Sequence, residues 1–367
     1  MKTNQLILAT AALVALAACT KETANMVVPE TEANEIGFKA VATMTTKAND
    51  AIITGTTYDT DNTFLLWGWQ SAAADYSEFA ENAASNFMTN LTISWCGGPS
   101  SRANAWRNNL NYYYWPFTGK IAFLAIHPST VDPTTTGWDA TNKKPKASIT
   151  GYTISDSNKT VDLMFANNEG TRITNGDAPV NMVFKHALSQ IEVQVKTNDD
   201  YTHDVAFDVE SVRFNNIDLS GNVAYANNGI TWTENTTQTE NWPYYSTVLE
   251  DITNVAQVYG AANLMIPQAA YADDPATLDA LEGTTLTIGY SMEQTGSAKI
   301  TGSITVAAPW TKVKEGDTNY DPAVAFSGWE PGKKYVYTLN FKLNEILFNP
   351  SVTDWVEVSV SPININY

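Results

Sequence analysis

The chain has 367 residues, 44% of them hydrophobic, and a formal charge of −18. That apolar content supports real cores and excludes a disordered chain, and the length is a soft prior for two domains of ~150 residues behind a short leader. An acidic surface without a Lys/Arg cluster repels phosphate backbones, so nucleic acid is not an expected partner.

The leader comes first. Met1 and Lys2 give a positive start, residues 6–18 are apolar except for Thr10, and Leu16-Ala17-Ala18-Cys19 follows the pattern of a bacterial lipoprotein lipobox. A charged start, a short apolar core and small residues before a cut mark an export signal. The run falls short of the ~20 residues that span a bilayer. Residues 1–19 are therefore expected to be a lipoprotein signal peptide, with Cys19 carrying lipid at a membrane outside the cytoplasm. Residues 20–34 read as a polar tether.

From Glu35 the pattern has a period of two. Ile36, Phe38, Ala40, Ala42 and Met44 share one face of an extended segment, which stops at the polar loop Thr45-Thr46-Lys47-Ala48-Asn49-Asp50. Strand signals then dominate: 63–69, 120–126, 160–166 and 189–196 in the first half, and 205–214, 217–225, 284–292, 299–306, 334–343 and 352–360 in the second, with Gly, Asn, Asp and Pro between them. Helical periodicity is scarce; 75–87 and 275–281 are each expected to hold a few turns. The break at Thr197-Asn198-Asp199-Asp200 sets the expected domains at 35–198 and 199–367. Many short strands in two blocks predict an all-β protein of two tandem β-sandwich domains with few short helices.

Catalytic and metal signatures are missing. His127, His186 and His203 have no metal-ligand spacing, and there is no G-x-S-x-G elbow, P-loop or G-x-G-x-x-G. Asp59-Thr60-Asp61-Asn62 reads as a solvated turn rather than a Ca²⁺ loop, since it lacks the Gly and distal Glu of an EF-hand. Ser100 sits in a turn by composition. No pair of carboxylates is singled out for glycoside hydrolysis. The expectation is no enzyme, no metal and no cofactor. If Cys19 takes lipid, Cys96 has no partner within the chain, and it reads as a small buried hydrophobe. In Tyr112-Tyr113-Tyr114-Trp115, alternation puts Tyr112 and Tyr114 on one face and Tyr113 and Trp115 on the other, as core plus sheet surface or as a sugar-stacking platform.

Several stretches together resemble the fimbrillin family, the type V pilins of Bacteroidales. They are the lipobox at Cys19, the strand at 36–44 with Thr46-Lys47-Ala48 after it, and Tyr114-Trp115-Pro116 with Gly119-Lys120-Ile121-Ala122-Phe123. Val183-Phe184-Lys185-His186-Ala187-Leu188, Leu264-Met265-Ile266-Pro267-Gln268, Trp329-Glu330-Pro331-Gly332 and Val352-Thr353-Asp354-Trp355 follow in order. The resemblance implies transthyretin-like sandwiches and a polymerising subunit. Such a precursor reaches the outer membrane as a lipoprotein, loses its first strand to a protease, and accepts a strand from the next subunit. The family's best-known cleavage follows Arg, whereas this loop offers Lys47 before Ala48. Past Pro362, Ile363, Ile365 and Tyr367 alternate and form the candidate donor strand. The expected partners are other pilin subunits, the outer membrane through the lipid, and a ligand on a host or bacterial surface. The alternative reading is a monomeric surface lipoprotein that binds glycans through exposed aromatics.

Overall fold

The structure is a computed structural model that describes residues 34–42, 58–73, 75–97, 104–176, 178–197, 205–234, 240–245, 247–268, 284–294, 296–307, 328–341, 346–354 and 356–358. Cys19, Lys47, Ala48, Ser100, Ile363, Ile365 and Tyr367 lie outside the described residues. The chain is all-β. Its strands begin with β1 (Phe38–Ala42), β2 (Phe64–Ser71), β3 (Met88–Cys96), β4 (Ala105–Arg107), β5 (Lys120–His127), β6 (Thr135–Asp139) and β7 (Lys144–Thr153). They continue with β8 (Met164–Gly170), β9 (Val180–His186), β10 (Ser189–Thr197), β11 (Val205–Ile217), β12 (Ser220–Ala226), β13 (Gly229–Glu234) and β14 (Glu240–Tyr245). The last are β15 (Gln257–Val258), β16 (Asn263–Met265), β17 (Thr285–Gln294), β18 (Ile300–Ala307), β19 (Lys334–Phe341), β20 (Ile346–Asp354) and β21 (Val356–Val358).

The N-terminal strands close on themselves in the order β1-β4-β3-β2-β5-β8-β9, so the sandwich expected there is sealed along one side by β1. β5 explains the layout. It lies between β2 and β8 and is buried along nearly its whole length. Ile121, Phe123 and Ala125 join the barrel interior, whereas Ala122, Leu124 and Ile126 join a second core outside it. Side chains alternate between faces along a strand, so an unbroken apolar run means that both faces are covered. β2 repeats this, with Phe64 and Leu66 inside and Leu65, Trp67 and Trp69 outside. The β2-β5-β8 wall is thus shared by two cores. Behind it Gly119, at φ +87°, passes the end of β2 so closely that a Cβ there would meet the Ser71 carbonyl oxygen at 2.1 Å.

Three further sheets build on the outer core, in the orders β13-β12-β7-β6, β14-β11-β17-β18 and β15-β10-β19-β20-β21, with β16 also on β10. Ladders cross residue 198: β7 pairs with β12, and β10 pairs in parallel with β19. The outer core runs on from Trp67 and Leu124 to Val193, Phe214, Ile288 and Tyr337.

Residues 75–87 are turns and bends, not the helical turns expected. Tyr76 and Asn82 have positive φ, and the segment is tied down from outside by Asn82 N–H donating to the Trp138 carbonyl and Trp69 Nε1–H donating to the Ala83 carbonyl. Tertiary hydrogen bonds override a weak local propensity. The expected turns at 275–281 lie outside the described residues. The one described helix, Arg172–Asn175, is held by a capping box from Thr171. The expected strand 217–225 breaks at Asp218 and Leu219, and within the expected strand 352–360 residues 352–354 of β20 pair antiparallel with 356–358 of β21.

Candidate functional site

The feature that sets this fold apart is β1. It pairs in parallel with β9, from Phe38 opposite Val180 to Ala42 opposite Phe184, and antiparallel with β4 where Phe38 faces Trp106. Ahead of the strand the ladder continues: Ile36 N–H donates to the Tyr113 carbonyl at 2.8 Å and Trp115 N–H to the Asn34 carbonyl at 3.0 Å. Ile36, Phe38, Ala40 and Ala42 are all buried, and Lys39 on the opposite face is exposed. The period-two expectation is realised for Ile36, Phe38, Ala40 and Ala42, and Met44 lies outside the described residues. Phe38 meets Phe123 edge-on at 5.1 Å and Phe64 at 6.5 Å. Burying Ile36 and Phe38 contributes roughly 1.5–3 kcal/mol each.

A charge pair fastens the start of the strand. Arg107 Nη1 lies 3.4 Å from Glu35 Oε2 and donates to the Glu35 carbonyl at 3.3 Å, with side-chain exposures of only 11% and 5%. Removing one partner of such a pair costs about 3–5 kcal/mol. Arg172 Nε–H donates to Asn34 Oδ1 at 3.1 Å. Neither arginine carries a sequence signal; each finds its partner through the register of strands far apart in the chain.

At the other end of β1 lies a buried polar group that a search for metal spacing in the sequence passes over. His186 Nδ1 and Asp162 Oδ2 are 2.6 Å apart, and His127 Nδ1 lies 2.7 Å from the Tyr58 hydroxyl and 3.1 Å from the Thr63 carbonyl oxygen. Tyr58 stacks on Phe184, the residue paired with Ala42. Burial pushes the Tyr58 hydroxyl far above its usual range. Burial also holds His127 below the usual histidine range, with Asp162 opposing. The unfolded chain therefore takes up a proton near pH ~6.5 that the folded chain resists. Stability is full above that pH and falls as the pH drops through the depressed folded value. Denaturant titrations of the protein should show the midpoint falling between pH 7 and pH 5, and His127→Gln should flatten that fall. An unchanged slope in the variant would place the proton uptake elsewhere.

The other sequence candidates resolve as follows. Tyr112 and Tyr114 stand out on the surface with rings stacked at 6.5 Å and 9°, while Tyr113 packs on Phe87 and Trp115 is buried against Phe123, the alternation expected. The segment 59–62 is a turn closed by Asn62 N–H on the Asp59 carbonyl. Among the described residues no three His, Cys, Asp or Glu side chains are grouped to hold a metal. Cys96 is fully buried at the end of β3, the burial expected of a small hydrophobe. The only other cysteine in the sequence is Cys19, outside the described residues, and its sulfur can hold either a disulfide or lipid, not both.

Fold and site together define a structural β protein whose distinctive element is a single sealing strand rather than a reactive cluster. The chain belongs to the fimbrillin-like family, whose model matches residues 46–355. It resembles in fold a solved fimbrial protein from Bacteroides vulgatus ATCC 8482, at TM-score 0.58 and 16% identity over 88% of this chain and all of that one. A proposed cell adhesion protein from Bacteroides uniformis ATCC 8492 aligns at TM-score 0.47 and 14% identity over 89% of this chain and all of that one. Among curated protein sequences none matches this one. The protein is thus a fimbrillin-like subunit, and its family places it in fimbriae at the cell surface.

Proposed function

We propose that the chain is made as an outer-membrane lipoprotein precursor and polymerises by strand exchange. Lipid on Cys19 delivers it to the surface, a cut between Lys47 and Ala48 frees 36–44, and the gap between β4 and β9 takes a strand from another subunit. The observation that carries this reading is that one five-residue strand, a few residues ahead of Lys47 in the sequence, alone bridges β4 and β9 among the described residues. Its removal exposes unpaired backbone groups and apolar pockets, an unstable edge until refilled. Refilling it is strand addition, with backbone hydrogen bonds for affinity and alternate side chains for fit. The family match begins at residue 46 and stops at 355, leaving out β1 and everything from β21 onward. Ile363, Ile365 and Tyr367 are the candidate donor residues. They follow β21, a three-residue edge strand that pairs, among the described residues, with β20 alone.

Mass spectrometry of the N-terminus of surface-extracted protein, with SDS-resistant ladders as second readout, tests this. A new N-terminus at Ala48 with ladders is expected; a lipidated Cys19 on protein that stays monomeric would instead favour a glycan-binding lipoprotein, for which the stacked and exposed Tyr112 and Tyr114 offer the platform. Cys19→Ala should abolish incorporation of radiolabelled fatty acid and surface delivery, because stable anchoring takes more than one acyl chain and the lipobox thiol is where they attach. Label in the Ala variant would refute the lipobox. In the lipidated precursor, Cys96 should react with a thiol reagent after denaturation; a chain with both cysteines in one disulfide should not.

A further inference from the structure

We propose that in the lipid-anchored precursor the end of the barrel where β1 begins rests on the membrane, and that Leu110, Phe117 and Ile173 enter the lipid surface there. The inference rests on the reading that Cys19 carries lipid; it needs neither the cut at Lys47 nor strand exchange.

Two loops form the patch. One runs from the end of β4 at Arg107 to the start of β5 at Lys120, the other from the end of β8 at Gly170 to the start of β9 at Val180. The registers bring them to one end: Ile121 stands opposite Gly170, and Phe38 lies opposite both Trp106 and Val180. Among the described residues the three most exposed large apolar side chains all sit on these loops, Ile173 at 95%, Phe117 at 83% and Leu110 at 80%. Arg172 joins two of them, with its guanidinium 5.2 Å from the centre of the Phe117 ring and Ile173 next in the chain. Tyr112 and Tyr114 add a stacked, exposed pair on the first loop. Single exposed apolar residues are ordinary, whereas a group of them marks a surface that meets something.

Charge and chain path say what it meets. A surface that enters lipid must be free of carboxylates, which resist leaving water. Residues 82–131 contain no Asp or Glu, in a chain that has 39. Glu35 and Glu169, at strand ends beside the loops, are paired with Arg107 and Lys120; Asp177, in the second loop, lies outside the described residues. Segment 72–87 also leaves this end and carries Asp75, Glu78 and Glu81, but it bends back to Trp138 on the outer core, where Asp75 and Glu81 pair with Lys143 and Lys146. Tyrosines, and an arginine lying along apolar side chains, suit the boundary between water and hydrocarbon. The chain that leads back to Cys19 enters the barrel at this same end, where Asn34 accepts from Arg172 Nε–H at 3.1 Å and from Trp115 N–H at 3.0 Å. Fifteen residues separate Cys19 from Asn34, a length that spans at most ~54 Å when fully extended. So tethered, the patch meets the lipid surface at high effective concentration, and a few side chains suffice to hold it there.

The test uses the full-length lipidated precursor in vesicles of phosphatidylethanolamine and phosphatidylglycerol, with lipid on Cys19 confirmed by mass. A nitroxide is placed on Ile173→Cys or, as a control, on Val255→Cys, which is exposed beside β15 on the outer sheets; Cys96 is buried and does not compete for label. Contact with membrane-dissolved oxygen is expected to be at least three times greater at 173 than at 255. Phe117→Ser, a change at an exposed side chain that removes no core packing, should at least halve the value at 173 without altering the lipid on Cys19. Equal contact at the two positions in a lipidated chain would overturn the membrane apposition and leave lipid anchoring standing. So would spin–spin broadening at 173 without oxygen contact, which would mean that copies of the chain pair through this end. An unchanged value in the Phe117→Ser chain would overturn the role given to the patch. A precursor whose mass shows no lipid on Cys19 would overturn the anchoring reading, and this inference with it.

Discussion

Phe38→Asp in the uncut precursor is expected to lower the melting temperature by about 10 °C or more, at roughly 2–4 °C per kcal/mol for a domain of this class. The side chain is 1% exposed and lies edge-on to two other rings. Losing a large buried aromatic costs about 3–5 kcal/mol, and a carboxylate placed there must be desolvated or take up a proton in addition. Lys39→Ser, one residue on and facing solvent, should leave the melt unmoved. That contrast separates a strand that seals a barrel from a tether lying against it. If Phe38→Asp melts like the unaltered protein, 36–44 does not hold the barrel closed, and the processing reading loses its basis.

Deleting residues 361–367 is expected to leave the precursor's melting curve in place and to abolish polymers. The candidate donor residues would be gone, while the barrel and its own β1 remain. Mild trypsin digestion cuts after Lys47 and should trigger SDS-resistant ladders in the full-length chain alone. Ladders from the truncated chain as strong as those from the intact one would put the donor elsewhere. If neither chain polymerises after a confirmed cut at Lys47, the glycan-binding reading moves to the front, and Tyr112 and Tyr114 become the residues to mutate.

The local parts of the site were readable in the chain, and the pairings were not. Ile36, Phe38, Ala40 and Ala42 announce a buried face by their spacing alone, and Tyr112 to Trp115 divide between surface and core as alternation requires. Nothing in the spacing says that β1 lies parallel to β9, some 140 residues away, because parallel partners are chosen by the whole sheet. Arg107 finding Glu35 and His186 finding Asp162 follow from the same registers. The segment 75–87 misled for the opposite reason. Its composition suits a helix, but hydrogen bonds from Trp69 and to Trp138 hold it as a loop.

By itself the sequence determined that this chain is rich in short strands and all-β, with a first strand of period two, and its ordered motifs pointed to fimbrillins; the export leader is an expectation read from the same local patterns. These properties are local or compositional, since periodicity, punctuation and a leader are written in neighbouring residues. The tertiary structure alone decided that the first strand is the closing stave of a barrel, that the run 120–127 is a wall between two cores, and that Arg107 pairs there with Glu35 at the start of that strand. Those depend on which distant segments meet, and only the burial of both faces of the β2-β5-β8 wall, summed over the whole fold, selects that meeting.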